Sequence, residues 1–265
     1  LYSLVAHLTD DIEKPVLLMN QIQSPHHHTM RPSERRILSK ARMILWIGPQ
    51  MESYLSKVIQ QQDAITISAM QANGLKLLDR RAKNTAQHTT DDSASGHLDP
   101  HIWLSSQNAI AISKYISRHL IDNDPENTRQ YQDNLKKLVQ KITQLSGEIK
   151  ASLANNKHPF IAYHDAFQYF EDENRLNYID SISFDEETGV SLKHMQRINA
   201  SIKKHNIQCL VYQSPEPDII GTLTDKKTIK AVALDPLGHD ITDNKDAWFE
   251  IMKNIAASFK DCLDS

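Results

Sequence analysis

Short apolar runs alternate along this chain with stretches in which apolar residues recur every three or four positions. The short runs predict β-strands, and the periodic stretches between them predict α-helices. This alternation favours an α/β fold with parallel sheets. The predicted strands lie at 14–19, 42–47, 64–68, 159–163, 178–182, 208–212 and 230–234.

The longest helical pattern lies between the two groups of strands. Asp124 and Pro125 are typical of a helix start, and apolar residues then recur at steps of three and four as far as Leu153. The spacing predicts a helix over 125–153, roughly 40 Å long. We interpret it as a rigid connection, with a first lobe at 1–122, a linking helix at 123–154 and a second lobe at 155–265. An ordinary core helix within one domain is the alternative.

The composition is that of a globular protein with no unusual bias. Of its 265 residues, 40% are hydrophobic and 24% are charged, and the formal net charge is −3. Nothing in this balance indicates binding to nucleic acid or to an anionic membrane surface. Only 7 glycines are present, and no glycine-rich phosphate loop predicts a nucleotide site. The chain begins with Leu1 rather than methionine, so we expect it to be part of a longer precursor.

Three histidines stand where predicted strands or loops lead into helices. They are His26, His101 and His164, separated by 75 and 63 residues, so only a tertiary fold can bring them together. Neutral imidazoles that converge from distant loops suit a borderline-soft divalent ion, with zinc as the first candidate. His164 directly follows a strand, where open α/β sheets place their ligands. Each also has an ordinary interpretation, as a solvated loop residue (His26) or a hydrogen-bonded core histidine.

Asp235 is a further candidate, because it also stands where a predicted strand ends. Its carboxylate can act as a metal ligand or cap a turn, for which Asp-Pro is a common signal. His27 and His28 follow the first ligand candidate directly, and we expect both to contribute little to metal binding. The polar segment 80–96 is interpreted as a surface loop, and the histidines beside it and within it are weaker metal candidates.

The only cysteines are Cys209, in a predicted strand, and Cys262, near the end of the last predicted helix. Two unrelated buried thiols and a disulfide between this strand and helix are both compatible with the pattern. A disulfide would indicate an oxidising compartment.

Five short sequence motifs of this chain together resemble those of the zinc-specific solute-binding proteins of bacterial metal ABC importers, the ZnuA-like group. The matching phrases are Pro-His-x-x-x-x-Arg-Pro-Ser at 25–33, Trp-Ile-Gly-Pro at 46–49, His-Ile-Trp-Leu at 101–104, His-Asp-Ala-Phe at 164–167 and Leu-Asp-Pro-Leu-Gly at 234–238. Their order and spacing cover nearly the whole chain. The resemblance implies two α/β lobes bridged by a long helix, with the metal held in the cleft between the lobes.

The resemblance also implies roles for individual residues. His26, His101 and His164 are its implied ligands for Zn²⁺, and Cys209 and Cys262 its implied disulfide. It further implies a monomer in the periplasm that delivers zinc to an inner-membrane permease. Some relatives carry an acidic residue just before the first ligand, where this chain has Pro25. The fourth ligand therefore stays open between water, Asp235 and a histidine of the 80–96 region.

Three histidines with an open fourth position also describe the zinc site of a hydrolase. This alternative lacks sequence support, because neither a His-Glu-x-x-His helix nor a His-x-His-x-Asp cluster is present. A carrier needs only tight and reversible capture, which neutral imidazoles provide. We therefore predict a transport protein rather than an enzyme. A manganese-binding or adhesin-type member of the same family is a further alternative, although three nitrogen ligands favour zinc.

Overall fold

The computed structural model describes most of the chain, and the described part forms two compact units. The described residues are 1–19, 28–81, 98–183, 191–224, 229–242 and 244–264. The first unit takes the described residues within Leu1–Arg80, Asp91–Gln144 and Ile241–Trp248. The second takes those within Arg81–Thr90, Leu145–Asp240 and Phe249–Ser265. The lobe boundaries derived from the sequence, at residues 122 and 154, stay predictions.

The first unit contains a two-stranded parallel sheet of β1 (Met43–Trp46) and β2 (Ile65–Ser68) among its described residues. The isoleucine, leucine and tryptophan side chains of these strands pack one face of the sheet against short helices. β-Branched and aromatic residues favour strands of this kind. A cluster of buried residues forms this core: Leu38, Ile44, Trp46, Leu55 and Ile59. The helices of the unit are α1 (Tyr2–Leu8), α2 (Pro32–Leu38), α3 (Ser56–Ile59) and α4 (Ser106–Asn123).

The longest helix is α5, over Thr128–Leu153, and a 3-10 turn at Pro125–Asn127 precedes it. Its predicted apolar stripe is buried along its length, at Tyr131, Leu138, Ile142, Leu145, Ile149 and Leu153. Gly147 lies on the exposed side, where an added Cβ would meet no atom within 4 Å. Burial of one continuous stripe therefore explains how a helix of 26 residues tolerates a glycine.

The second unit is built on a four-stranded parallel sheet with the order β4–β3–β5–β6. The strands are β3 (Pro159–His164), β4 (Asn177–Ser183), β5 (Cys209–Gln213) and β6 (Lys230–Leu234). The helices are α6 (Gln168–Asn174), α7 (Leu192–His205), α8 (Ile219–Thr224) and α9 (Ala247–Leu263). Isoleucines and leucines of the strands, α7 and α8 form one buried core. Phe170 and Phe259 stack on each other elsewhere in the unit, with ring centroids 5.5 Å apart.

The strand order creates a switch point between β3 and β5. From β3 the chain continues to β4 on one side, and from β5 it continues to β6 on the other. In open α/β sheets, ligands bind outside the carboxyl ends of the strands at such a point. His164 is the last residue of β3, so the sheet itself carries this candidate ligand to the switch point.

Cys209 and Cys262 form a disulfide, with their Cα atoms 5.3 Å apart. The bond links the first residue of β5 to the last turn of α9. The predicted pairing is therefore confirmed, and it joins two cysteines that are 53 residues apart in sequence.

The predicted α/β fold with parallel sheets and a long central helix is confirmed. Six of the seven predicted strands are present within one or two residues of their predicted bounds. The strand predicted at 14–19 is wrong. Val16 is 71% exposed there and no strand forms, because this apolar run has neither a buried face nor a sheet partner among the described residues. Most of the predicted loop at 80–96 lies outside the described residues. No described helix is long and apolar enough to span a bilayer.

Candidate metal centre

His101 is buried in the first unit and is held by a nearby carboxylate. The Nδ1–H group of His101 donates to Asp99 Oδ1 over 2.7 Å, and the backbone N–H of His101 donates to the same oxygen over 3.0 Å. The His101 side chain is almost fully enclosed, and its ring lies 5.4 Å from that of Trp103. This pairing fixes the tautomer with the proton on Nδ1. It leaves Nε2 as the nitrogen with the lone pair that a metal requires.

The chain around His101 is positioned by helix capping. The residues after the histidine form a 3-10 turn over Ile102–Leu104, and the Ser105 hydroxyl then accepts the Asn108 N–H to cap α4. Asn108 also bonds the backbone of Lys76 in both directions, at 2.8 and 3.0 Å. The histidine therefore sits on a short segment that is tied to both α4 and a neighbouring loop.

His164 ends β3 in the second unit, and its side chain is also buried. Both ring nitrogens are enclosed within the described structure. The backbone carbonyl of His164 accepts the Ala166 N–H over 3.0 Å, which starts the turn into α6. Asp165 is the residue that follows His164 in the chain. In the structure its carboxylate accepts a bond from Arg81 over 2.6 Å.

His28 belongs to a buried pair that anchors the start of α2. Its Nε2 lies 2.8 Å from Glu34 Oε2, and its ring meets Tyr54 edge-on with centroids 5.3 Å apart. The same Glu34 oxygen accepts the backbone N–H of Arg31 over 2.7 Å, which caps the helix. Burial opposes ionisation of Glu34, yet the bonds from Arg31 and His28 outweigh it and lower the pKa of Glu34. The position of His28 therefore favours a structural role. His26 and His27 lie outside the described residues.

Asp235 follows β6 and caps the turn after it. Its Oδ1 accepts the backbone N–H groups of Leu237 and Gly238 over 3.0 and 2.7 Å, and it lies 3.3 Å from His239 Nδ1. Burial opposes ionisation of Asp235, but the His239 and Gly238 bonds lower its pKa. These contacts favour the turn-capping alternative. The role of Asp235 as a metal ligand stays a prediction.

Within the part of the chain that the structure describes, no group of three or more histidine, cysteine, aspartate or glutamate side chains is gathered as a metal site. His101 lies in the first unit and His164 in the second, and both side chains are buried. Two site residues were not predicted from the sequence, Asp99 and Arg81. The Asp-x-His spacing at 99–101 was a visible signal for the first. The second was not detectable, because its partners lie 84 and 90 residues away.

Comparison with protein families decides what kind of protein carries these histidines. Residues 1–262 match the family described as "Zinc-uptake complex component A periplasmic", abbreviated ZnuA. The chain belongs to the ZnuA family. Membership covers almost all of its 265 residues, including each candidate ligand.

Curated relatives support ZnuA family membership. The chain is 30% identical over 298 aligned positions to the "High-affinity zinc uptake system protein ZnuA" of Brucella abortus (strain 2308), covering 99% of this chain and 89% of the relative. It is 25% identical to the protein of the same name from Yersinia pestis, covering 98% and 87% of the two chains. The AdcAII protein of Streptococcus pneumoniae shares the ZnuA-type fold, with a TM-score of 0.80, 18% identity and coverage of 99% and 95%.

ZnuA family membership confirms the predicted class of protein. The family comprises solute-binding components of zinc uptake systems and not enzymes, so the hydrolase alternative is not favoured. It also confirms the resemblance drawn from the five sequence phrases, and zinc as the transported ion of the family.

Proposed function

We propose that this protein captures Zn²⁺ with high affinity in the periplasm and delivers it to the permease of a zinc ABC importer. The ion is its cargo, and no chemical step is required. The family is described as the periplasmic component of a zinc-uptake complex, and the disulfide suits an oxidising compartment. We further propose that the protein works as a monomer.

The proposed ligands are the imidazoles of His26, His101 and His164. The observation that carries this proposal is the pair of Asp99 and His101. A carboxylate on the second ring nitrogen orients a metal-binding histidine and raises the basicity of the nitrogen that faces the metal. We assign Nε2 of His101 to zinc for this reason. Three neutral nitrogen ligands favour zinc over manganese, which prefers oxygen.

The fourth position of a tetrahedral zinc site is the least constrained. Asp235 has one oxygen committed to two backbone N–H groups of its turn. Its other oxygen, Oδ2, has only a long contact, 3.5 Å from the backbone nitrogen of Asp240. In this proposal zinc competes for Oδ2 with that contact, and the position is otherwise filled by water or by a histidine of the 80–96 region.

Complementation tests the proposal in a bacterium that lacks its own zinc-binding importer component. The chain, fused to a periplasmic export signal, should restore growth in medium depleted by a zinc chelator. The His101→Ala and His164→Ala variants should not restore it at equal protein levels, whereas Lys193→Ala, an exposed residue of α7, should behave as wild type. Growth restored equally by all variants would contradict the proposed ligands.

A further inference from the structure

An arginine in the second unit links two buried carboxylates beside His164. Arg81 Nη1 donates to Asp165 Oδ1 over 2.6 Å, and Arg81 Nη2 donates to Glu171 Oε2 over 2.5 Å. The two carboxylate side chains are 7% and 2% exposed, so both are nearly sealed from water. The guanidinium carbon also lies 3.6 Å from the centre of the Tyr178 ring. The Arg81 guanidinium is therefore in contact with both carboxylates and with the face of the Tyr178 ring.

Both carboxylates are close to His164 in the sequence. Asp165 is the next residue in the chain, and Glu171 belongs to α6, which starts four residues after His164. Carboxylate oxygens are the ligands that manganese, magnesium and calcium prefer. Two ionised carboxylates near a histidine would therefore attract hard cations, by charge and by donor type.

Arg81 suppresses both contributions. The guanidinium donates one N–H group to one oxygen of each carboxylate, so Asp165 Oδ1 and Glu171 Oε2 are both engaged in charge-assisted hydrogen bonds. Its positive charge also offsets one of the two negative charges. Arginine is suited to this task because its guanidinium stays protonated at all working pH values. Burial opposes its charge, but Glu171 and Asp165 raise the pKa of Arg81 above its usual value.

We propose that Arg81 is a specificity-determining residue, which keeps Asp165 and Glu171 from serving as oxygen ligands or as a local negative field for hard divalent cations. The metal position near His164 then offers nitrogen and discriminates zinc from manganese. This inference rests on the proposed function, in which His164 binds the transported ion. Arg81 acts through its two partners and does not itself touch the metal.

A purely structural role for Arg81 makes a different prediction. If the arginine only ties the chain to the second unit, its loss lowers thermal stability and weakens binding of zinc and manganese by the same factor. If it sets specificity, its loss changes the ratio of the two dissociation constants. The ratio of the two dissociation constants therefore distinguishes the two roles. A general loss of stability weakens the binding of both metals and leaves this ratio unchanged.

The experiment measures Zn²⁺ and Mn²⁺ affinities of the metal-free protein by chelator competition. For Arg81→Gln we expect tighter manganese binding. The preference for zinc, measured as the ratio of the manganese dissociation constant to the zinc dissociation constant, should fall by at least about fivefold. Arg80→Gln is the matched control, since the neighbouring Arg80 donates to the backbone carbonyls of Leu98 and Gln50. Its preference should equal that of wild type. An unchanged preference in Arg81→Gln would overturn the proposal.

Two further variants apply if Arg81→Gln does not fold. Arg81→Lys keeps the charge but cannot bind both carboxylates with a planar fork, so it should narrow the preference by a smaller factor in the same direction. The triple variant Arg81→Gln, Asp165→Asn, Glu171→Gln removes the freed carboxylates and should restore the wild-type preference. A wild-type preference in Arg81→Lys, or a narrowed one in the triple variant, would contradict the inference.

The same titrations separate this inference from the proposed function. His164→Ala should lose zinc affinity whatever Arg81 does. If His164→Ala binds zinc as wild type does, the proposed ligand set fails and the inference fails with it. If His164→Ala loses zinc affinity while Arg81→Gln keeps its preference, only the role of Arg81 fails.

Discussion

Asp99 Oδ1 accepts two hydrogen bonds from a single residue, His101, one from the ring Nδ1–H group and one from the backbone N–H group. The carboxylate thus fixes both the tautomer of the imidazole and the direction from which the ring leaves the chain. The two residues are separated only by Pro100, whose ring restricts the backbone between them. This is the arrangement expected of a histidine prepared for a metal before the metal arrives.

Asp99→Ala should therefore weaken zinc binding by about tenfold, because the ring loses the hydrogen-bond partner that orients it. Asp99→Asn should lose less, since the amide oxygen still accepts from Nδ1–H. Isothermal titration in the presence of a chelator measures both. Asp133→Ala, at an exposed site on α5, serves as the control. Wild-type affinity in Asp99→Ala would show that the pair has no role in zinc binding.

His28 should contribute to stability and not to zinc affinity. Removing its imidazole leaves Glu34 buried with one partner fewer, and we expect His28→Ala to lower the free energy of unfolding by about 1–3 kcal/mol. Zinc affinity should stay within about threefold of wild type, a change too small for a lost ligand. Denaturant unfolding of the metal-free protein and a zinc titration provide the two measurements. A tenfold or greater loss of zinc affinity would move the first ligand to His28.

The disulfide should stabilise the second unit without affecting the choice of metal. The Cys209→Ser, Cys262→Ser double variant should lose about 2–5 kcal/mol of unfolding free energy. Unfolded, unreduced wild-type protein should contain no reactive thiol by labelling. Complete labelling of both cysteines before reduction would contradict the bond and weaken the periplasmic proposal. Zinc affinity at a temperature where both proteins are folded should be equal.

Acid should destabilise the first unit through His7 and Asp246. The two side chains lie 2.9 Å apart, and Lys141 also binds Asp246. Burial lowers the pKa of His7, with Lys141 adding to the effect and the Asp246 bond opposing it. The unfolded chain then binds more protons than the folded one below the ordinary histidine pKa of about 6.5, so stability falls as the pH falls through this range.

The variant His7→Asn tests this dependence. It removes the titrating group, so its unfolding free energy should fall less than that of wild type between pH 7 and pH 5. Denaturant titrations of metal-free protein at several pH values provide the comparison. His205→Asn, at the exposed end of α7, should retain the wild-type slope. Equal slopes in wild type and His7→Asn would contradict this origin of the acid sensitivity.

Local patterns predicted most of the fold. The bounds of β6 and the end of α5 match the prediction, because a short apolar run and a continuous buried stripe are set by neighbouring residues. The run at 14–19 has a similar composition but no strand forms there, since a strand needs a partner that sequence alone does not reveal. The disulfide required the family resemblance, because the cysteine count alone allowed two thiols.

The sequence predicted the candidate ligands of the site but not the residues that hold those ligands in position. The motifs around His101 and His164 marked both histidines as candidate ligands. Asp99 was not predicted, although it is a carboxylate only two positions before His101. His28 was expected to matter little for metal, but its burial against Glu34 and Tyr54 had no signal in the polar run around it. Arg81 depends on contacts made by the folded second unit, which spacing does not encode.

The central claim is that His101 and His164 hold the transported zinc. Its most direct test is competitive titration of metal-free protein with zinc and manganese, beside the His101→Ala and His164→Ala variants. We predict tight one-to-one zinc binding that manganese does not displace and that each variant weakens by at least about tenfold. Zinc binding that neither variant changes would contradict the account and place the cargo site elsewhere in the chain.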